Sequence, residues 1–481
     1  MERLLKMESN VYAKIFSSSS GQWYVYITKT NEILSVDKEW IESLDEKTRE
    51  NIVLQELADA GLLTDQIPKQ IQWARTKEEY QYMIARRIPA LTLEITQQCS
   101  LRCSYCIYSG NYDGARVHQA YDMDISLITK AIDYFAEHNV DCPTADISFY
   151  GGEALLQFDK IRYAVEYARK KIAKKPLRFH VSTNGTTLTQ PVQQWLSQNK
   201  DVTVAITLNG QTHDIYRKFP SGTGSLNVIT QHLQEIKENY PDVWERIDFL
   251  ANITNYSELL ALREYYLDYV GKPPLLISGI ETEGGNESIQ EIIGEGFQNG
   301  ADQKLSQQLF ISKYDEYLKP FYQANMESIS TRAMGNWIDS AIAPCCIPFT
   351  HNLFVSAKGE LSFCERTPPK QEYGNVEDGI RNSAVEKAME QAMSVFNSKC
   401  RFCWAQRLCD VCYQYIHEDT AGVPYISESF CAQAKRGITK DLALFCDISE
   451  ENPSLIEKIR LEYECKLKHH QEEKMGCQMD A

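Results

Sequence analysis

The stretch Cys99-Ser-Leu-Arg-Cys103-Ser-Tyr-Cys106 decides how this chain is read. It leaves the apolar run Leu91-Thr-Leu-Glu-Ile95, which reads as a strand, and sets three thiols three and two residues apart in one short loop. Iron-sulfur clusters are commonly held by Cys thiolates, four for a complete 4Fe-4S site. Three thiolates from one loop hold three irons and leave the fourth with an open position, where chemistry can begin. Zinc loops usually carry a tighter Cys pair and a distant second pair. The spacing therefore favours iron-sulfur, with a zinc site completed from elsewhere as the alternative.

Outward from that loop, strand-like and helix-like runs alternate. Strands are expected at 91–96, 145–150, 178–183, 202–208, 247–253 and 275–280, with helical patterns at 125–138, 158–170 and 226–239 between them. Repeated βα units imply a parallel sheet with helical crossovers. Six of them predict an α/β fold built on a partial (β/α)6 TIM-like barrel, with a doubly wound sheet as the alternative. In barrels the working residues lie at the C-terminal ends of the strands. Those ends carry Gly151-Gly152-Glu153, Ser182 and Asn184, Thr207-Leu-Asn209-Gly210, and His213-Asp-x-x-Arg217.

The net charge of −16 argues against broad nucleic-acid binding, which needs a basic footprint. The N-terminus lacks a continuous apolar signal-peptide core, and no uninterrupted apolar stretch is long enough to suggest a membrane span. Cytoplasmic residence is the expectation. Fifteen cysteines are unusual there as disulfides. Eight of them fall between Cys345 and Cys431, and metal ligation explains that crowding better than a disulfide framework.

With the aromatic Tyr105 before the last Cys and its βα setting, the triplet Cys99, Cys103, Cys106 resembles the radical S-adenosylmethionine enzymes. The resemblance implies that the open iron chelates the amino and carboxylate groups of S-adenosylmethionine and that the cofactor yields a hydrogen-abstracting radical. Gly151, Gly152 and Glu153 look like the family's glycine-rich cofactor motif. Ser182 and Asn184 match polar positions that contact ribose or carboxylate. Asn209 stands where the family more often has Asp, keeping hydrogen-bonding capacity and losing charge. Arg217 matches a cofactor-carboxylate partner, for which guanidinium is suited; a surface ion pair is the alternative.

Cys400-x2-Cys403-x5-Cys409-x2-Cys412-x18-Cys431 is too regular for core packing and resembles the SPASM extension of radical peptide-modifying and sulfatase-maturating enzymes. That extension normally holds two auxiliary 4Fe-4S clusters, giving three clusters in all. By position, Cys400, Cys403, Cys409 and Cys431 hold the outer one. Cys412 reaches the inner one with Cys364, which a turn at Gly359-Glu360 presents, and with Cys345 or Cys346. The family usually has three residues where two separate Cys409 from Cys412, and its first inner-cluster cysteines are usually apart. Adjacent side chains tend to diverge, so an inner cluster with an open iron is expected. A single zinc or structural cluster region with spare thiols is the alternative. Cys142, Cys446, Cys465 and Cys477 have no matching spacing and read as structural or incidental.

The expected organisation is a winged-helix-like peptide-recognition domain over 1–90, the barrel over 91–300, a helical bridge over 301–344, the SPASM region over 345–435 and a helical tail over 436–481. In the first unit, strands are expected at 22–28 and 33–36 and a helix at 48–60, closed by Gly61. The resemblance implies a maturase that joins cysteine thiolates to acceptor-residue carbons, as thioethers, in a ribosomal precursor peptide with a leader. A flavodoxin- or ferredoxin-type donor would supply electrons. The closest rival is sulfatase-type oxidation of Cys or Ser, where the family places an Asp base directly after the inner-cluster Cys; here that residue is Glu365. Other peptide crosslinking, and a non-catalytic iron-sulfur electron carrier, complete the alternatives.

Overall fold

The computed structural model describes residues 12–63, 70–73, 75–331, 347–367, 373–409 and 411–475. Cys345, Cys346 and Cys477, and the end of the expected helical bridge, lie outside the described residues.

Three antiparallel strands open the chain: β1 (Ala13–Ser17), β2 (Trp23–Ile27) and β3 (Glu32–Val36). Side chains alternate across such a sheet. Ala13, Ile15 and Val25 pack with Ile41, Val53 and Leu54 into a small core of their own, while Phe16, Tyr24 and Tyr26 join the main core. The helix Glu46–Asp59 starts on the Asp45 cap and ends at Gly61, whose φ of +73° suits a left-handed stop. The unit docks on distant chain: Thr28 Oγ1 donates to Trp404 O at 2.7 Å and Ser19 N to Asp447 Oδ1 at 3.0 Å. Its separate core ends before the helix Lys77–Arg86, whose Tyr80 and Ile84 belong to the barrel's core.

Six parallel strands follow: β4 (Ala90–Thr96), β5 (Ala145–Gly151), β6 (Leu177–Thr183), β7 (Val202–Thr207), β8 (Ile247–Ile253) and β9 (Leu276–Gly279). They pair in sequence order. A doubly wound sheet reverses its order at a switch point; this one does not, and the fold is a partial barrel. Alternation sorts the side chains. Ile147, Phe149, Phe179, Val181, Val204, Ile206 and Phe249 are buried in the main core, whereas Tyr150, Ser182, Ala205, Thr207, Leu250 and Asn252 line a cavity. The helix Ile125–His138 shows why the crossovers hold: Ile128, Ala131, Ile132 and Phe135 form one fully buried stripe.

The sheet continues past β4. Strand β10 (Leu353–Val355) pairs parallel to β4, with Leu353 opposite Leu91, and β11 (Leu361–Ser362) pairs antiparallel to β10. Gly359, at φ +85°, turns this hairpin and sends the chain to Cys364. Beyond it lie the helix Asn382–Ser398, the cysteine loops, and two long helices, Glu428–Glu451 and Pro453–Met475. Residue 435 lies within the first of these two long helices. The first of the two long helices is a wall of the cavity.

Candidate active site

Cys99, Cys103 and Cys106 line a cavity of about 1660 Å³ at the C-terminal ends of the barrel strands. The loop carrying them is tied to its neighbours by backbone: Arg102 N donates to Lys218 O at 2.7 Å and Ser104 N to Tyr216 O at 2.9 Å. Burial is the main push that takes the Cys99 thiol up to about 11, with Glu153 and Cys103 adding to it, and Cys106 up to about 12, with Cys103 and Cys99 adding to it. Such thiols stay neutral unless a cation enters; a bound metal deprotonates a coordinating thiol. Among the described residues no three His, Cys, Asp or Glu side chains converge on a point suited to one metal ion.

Gly151 and Gly152 complete the wall beside the cysteines. A Cβ on Gly151 would lie 2.1 Å from Thr96 O, and one on Gly152 would lie 2.1 Å from Gln98 O. Only glycine lets the end of β5 press against the end of β4 this closely. Gly152 N and Glu153 N donate to Thr96 O and Gln98 O at 2.9 and 2.8 Å. The motif's first task is backbone packing behind the cysteine loop.

Glu153 is fully buried and does not line the cavity. Its carboxylate accepts from Asn184 N at 2.6 Å, Thr183 Oγ1 at 2.7 Å, Leu155 N at 3.1 Å and Thr187 Oγ1 at 3.1 Å. Burial raises its pKa against these donors. The residue ties β5 to the end of β6, where Ser182 and Asn184 reach the cavity. Asn184 Nδ2 donates to Ser100 Oγ at 3.0 Å and lies 3.7 Å from Cys99 Sγ.

Arg217 lines the cavity, 7% exposed. Nη1 donates to the Tyr105 hydroxyl at 3.1 Å, and the buried Nε has no hydrogen-bond partner. A buried guanidinium with an unused donor is a ready receptor for a carboxylate. Asn209 stands behind the wall: its Nδ2 donates to the same Tyr105 hydroxyl at 2.9 Å, and its Oδ1 accepts from Asn252 N at 3.0 Å. His213, depressed to about 3 by burial and then by Arg217, accepts from Asn209 N through Nδ1 at 3.2 Å and sits 3.1 Å from Ser225 Oγ through Nε2. Tyr105, Asn209, His213 and Arg217 form one brace.

The second cysteine group lies in the C-terminal region. Cys400 is pushed up to about 12 by burial and then by Cys409, Cys403 and Cys431, which therefore surround it. Cys364 stands apart, raised to about 11 by burial and then by Glu365, and its Sγ donates to Glu365 Oε2 at 3.4 Å. Glu365 does not line the cavity, but its neighbour Arg366 does. Arg366 Nη1 is 3.9 Å from Glu281 Oε2, which also accepts from Tyr415 OH at 2.9 Å. Cys409 and Cys412 have neighbouring interactions of their own.

Several lining residues carry no signal that a linear reading would find. His118, twelve residues beyond Cys106, brings Nε2 within 3.7 Å of Cys106 Sγ. Tyr112 OH donates to Glu281 O at 3.0 Å and Asp113 N to Gly284 O at 2.9 Å, strapping the cysteine loop to the segment after β9. Gln433, Arg436, Lys440 and Asp441 reach the cavity from the helix Glu428–Glu451. The three-and-four spacing of Gln433, Arg436 and Lys440, with Asp441 next to the last, is legible only once that helix is known.

Residues 93–262 match the radical SAM superfamily. A cysteine-type anaerobic sulfatase-maturating enzyme of Clostridium novyi is 28% identical over 144 residues, covering 29% of this chain and 37% of that protein. An uncharacterized protein of Methanocaldococcus jannaschii is 31% identical over 136 residues, covering 28% of this chain and 44% of its own. The chain thus spans less than half the length of either relative. Among solved structures, native anSMEcpe with bound AdoMet aligns with a TM-score of 0.57 at 17% identity, over 77% of this chain and 99% of that one. The same protein with AdoMet and the Cp18Cys peptide aligns with a TM-score of 0.54 at 16% identity, over 77% and 99%. Among the described residues no helix is long and apolar enough to cross a membrane.

Proposed function

From a chain whose residues 93–262 form a radical SAM domain, we propose a peptide maturase that joins cysteine thiolates to acceptor-residue carbons as thioethers. One observation carries the reading: the three thiols of one loop share a cavity wall with Gly151, Gly152, Ser182, Asn184 and the underused Arg217. The donor set fits both absent groups. Cys99, Cys103 and Cys106 would hold a 4Fe-4S cluster, and Arg217 Nε offers a free donor to the carboxylate of S-adenosylmethionine. Bound there, the cluster and cofactor would supply hydrogen-abstracting radical chemistry.

The chain's own residues do the rest. The brace through Tyr105 and Asn209 holds Arg217 in place. Glu153 fixes the β6 end that offers Asn184. The wide cavity suits a peptide segment rather than a small metabolite, and close placement of the reacting carbon is the protein's main contribution. Cys400, Cys403, Cys409 and Cys431 would hold one auxiliary cluster. Cys412 and Cys364 would hold a second with Cys345 or Cys346, and the two clusters would supply electron-accepting chemistry beside the substrate. A flavodoxin- or ferredoxin-type protein would return electrons.

Recognition of the leader would fall to the N-terminal sheet. Among the described residues strand β3 pairs with β2 alone. An unpaired edge is a template for an added peptide strand.

A second reading draws on Glu365, which accepts from the Cys364 thiol and occupies the position of the sulfatase-maturase base. There the same radical would oxidise Cys or Ser in a substrate without forming a crosslink. Anaerobically reconstituted protein, reduced with dithionite, should cleave S-adenosylmethionine to 5'-deoxyadenosine and methionine. Fully iron-loaded protein that cleaves none would end both readings. Mass spectrometry of a co-expressed cysteine-bearing precursor separates them: a thioether removes two hydrogens per link and renders that cysteine resistant to alkylation. Conversion of Cys to an aldehyde-bearing residue would assign the second.

A further inference from the structure

The cavity wall also holds a group that the radical chemistry leaves unused. Asp441 lines it, projecting from the helix Glu428–Glu451 beside Tyr256, Phe321, Tyr322 and Asn325. Among the described residues its carboxylate has no ion pair, and Asn325 is its hydrogen-bonding neighbour. Lys440, next in sequence, donates instead to the carbonyl of Phe297. Burial pushes Asp441 up to about 6. The Lys440 ammonium opposes that rise but burial outweighs it, and a shielded carboxyl in a cleft is a functional-site candidate.

The walls around it are aromatic and packed together. Phe297 and Phe321 stack at 5.6 Å, and Tyr256 meets them edge-on at 5.2 and 6.2 Å. Tyr322 stands at 4.9 Å from Phe321. Asp441 raises the pKa of both tyrosines, after burial, so its charge is felt on both sides. Ring faces attract cations, and a desolvated site strengthens the attraction. A lone carboxylate at the base of such rings adds a counter-charge.

Resting on the peptide-maturase reading, we propose that Asp441 and the rings of Tyr256, Phe321 and Tyr322 form a subsite for a cationic side chain of the substrate, lysine or arginine. The subsite sets which residue lies at a fixed distance along the peptide from the reacting carbon. It is a binding element and takes no part in hydrogen abstraction.

Full-length reconstituted protein tests this with two probes, acetyl-Gly-Lys-Gly-amide and its norleucine counterpart, titrated by ligand-observed NMR. The lysyl probe should bind at least tenfold more tightly than the norleucyl one. Asp441→Asn should abolish that ratio, and Phe321→Leu, with the carboxylate intact, should reduce it. Equal affinities, no lysyl binding at millimolar concentration, or a preference surviving both substitutions would overturn the subsite. So would tighter binding of the glutamyl tripeptide, which would assign the wall to Arg436 and Lys440. S-adenosylmethionine cleavage by the same wild-type preparation is scored separately. Cleavage without discrimination removes only the subsite, and discrimination without cleavage removes only the maturase reading.

Discussion

The Glu153 carboxylate accepts the backbone N–H of Asn184 at 2.6 Å, joining the ends of two neighbouring barrel strands through a group that never reaches the cavity. Replacing it by Gln turns an N–H₂ toward a ring of donors. Leaving buried donors unmatched costs about 1–3 kcal/mol each. Glu153→Gln should lower stability in urea by about 2–4 kcal/mol, and weaken S-adenosylmethionine binding because Asn184 loses its anchor. Unchanged cofactor affinity in the folded variant would separate the strand tie from the site.

Tyr105 offers one hydroxyl to two donors, Asn209 Nδ2 and Arg217 Nη1. Tyr105→Phe removes the acceptor from both. One hydrogen bond to a charged group contributes about 1.5–3 kcal/mol, so cofactor affinity should fall by about tenfold or more while iron content stays at the wild-type level. Calorimetric titration beside an iron assay checks both. A fall in iron with intact affinity would mean that the phenol supports the cysteine loop instead.

The two cysteine groups should separate on substitution. Cys103→Ala should remove one cluster's iron and all cofactor cleavage. Cys400→Ala should remove a comparable share of iron and leave cofactor cleavage measurable, because the cofactor's wall is intact. If Cys400→Ala also stopped cofactor cleavage in folded protein, the two groups would be functionally one.

Lys175 ties down the turn before β5. Its ammonium donates to Asn139 Oδ1 at 3.0 Å, Cys142 O at 2.9 Å and Val140 O at 3.3 Å, and also to Asn139 O, closing the turn before β5. Lys175→Met should lower stability by about 2 kcal/mol, with cleavage per folded molecule unchanged. Altered cleavage at constant folded fraction would show that the turn transmits strain to the Gly151-Gly152 wall.

Asp441 makes stability depend on pH with an unusual sign. Its folded pKa of about 6 lies above the ordinary 3.8, so the folded form binds more protons between those values. Its contribution is most favourable below about pH 4 and is lost as pH rises through 6. The groups facing it are Lys440, Asn325, Tyr256 and Tyr322, none of which titrates in that window as an isolated residue. Asp441→Asn should therefore gain Tm relative to wild type at pH 8 and show no gain at pH 4. An equal gain at both values would point to packing.

How much of this was legible in the chain depended on the range of the forces involved. The helices Ile125–His138 and Leu226–Asn239 match their expected ends because one apolar stripe fixes each locally. The strand Ile247–Ile253 does so through strict alternation. Strand β1 went unread because Ala-Lys-Ile-Phe-Ser is short and weakly patterned, and its pairing with β2 supplies what its sequence lacks. The helix Asn382–Ser398 carries a signal in its buried stripe Val385, Met389, Ala392 and Phe396. At the site, cysteine spacing located one wall. It could not reveal that Glu153 and Asn209 stand behind the surface, nor that Asp441 faces the cavity, since both follow from contacts between residues far apart in the chain.

The pairing of β10 with β4 carries a further consequence. The strand that launches the cysteine loop is stitched along its outer flank to a hairpin more than two hundred and fifty residues downstream. Excising the C-terminal third would strip hydrogen-bond partners from the barrel's first strand and bare a sticky flank. The halves of this protein are not interchangeable cassettes. A chimera that grafts a foreign auxiliary region onto this barrel must import a matching hairpin, or it will precipitate before its chemistry can be asked about.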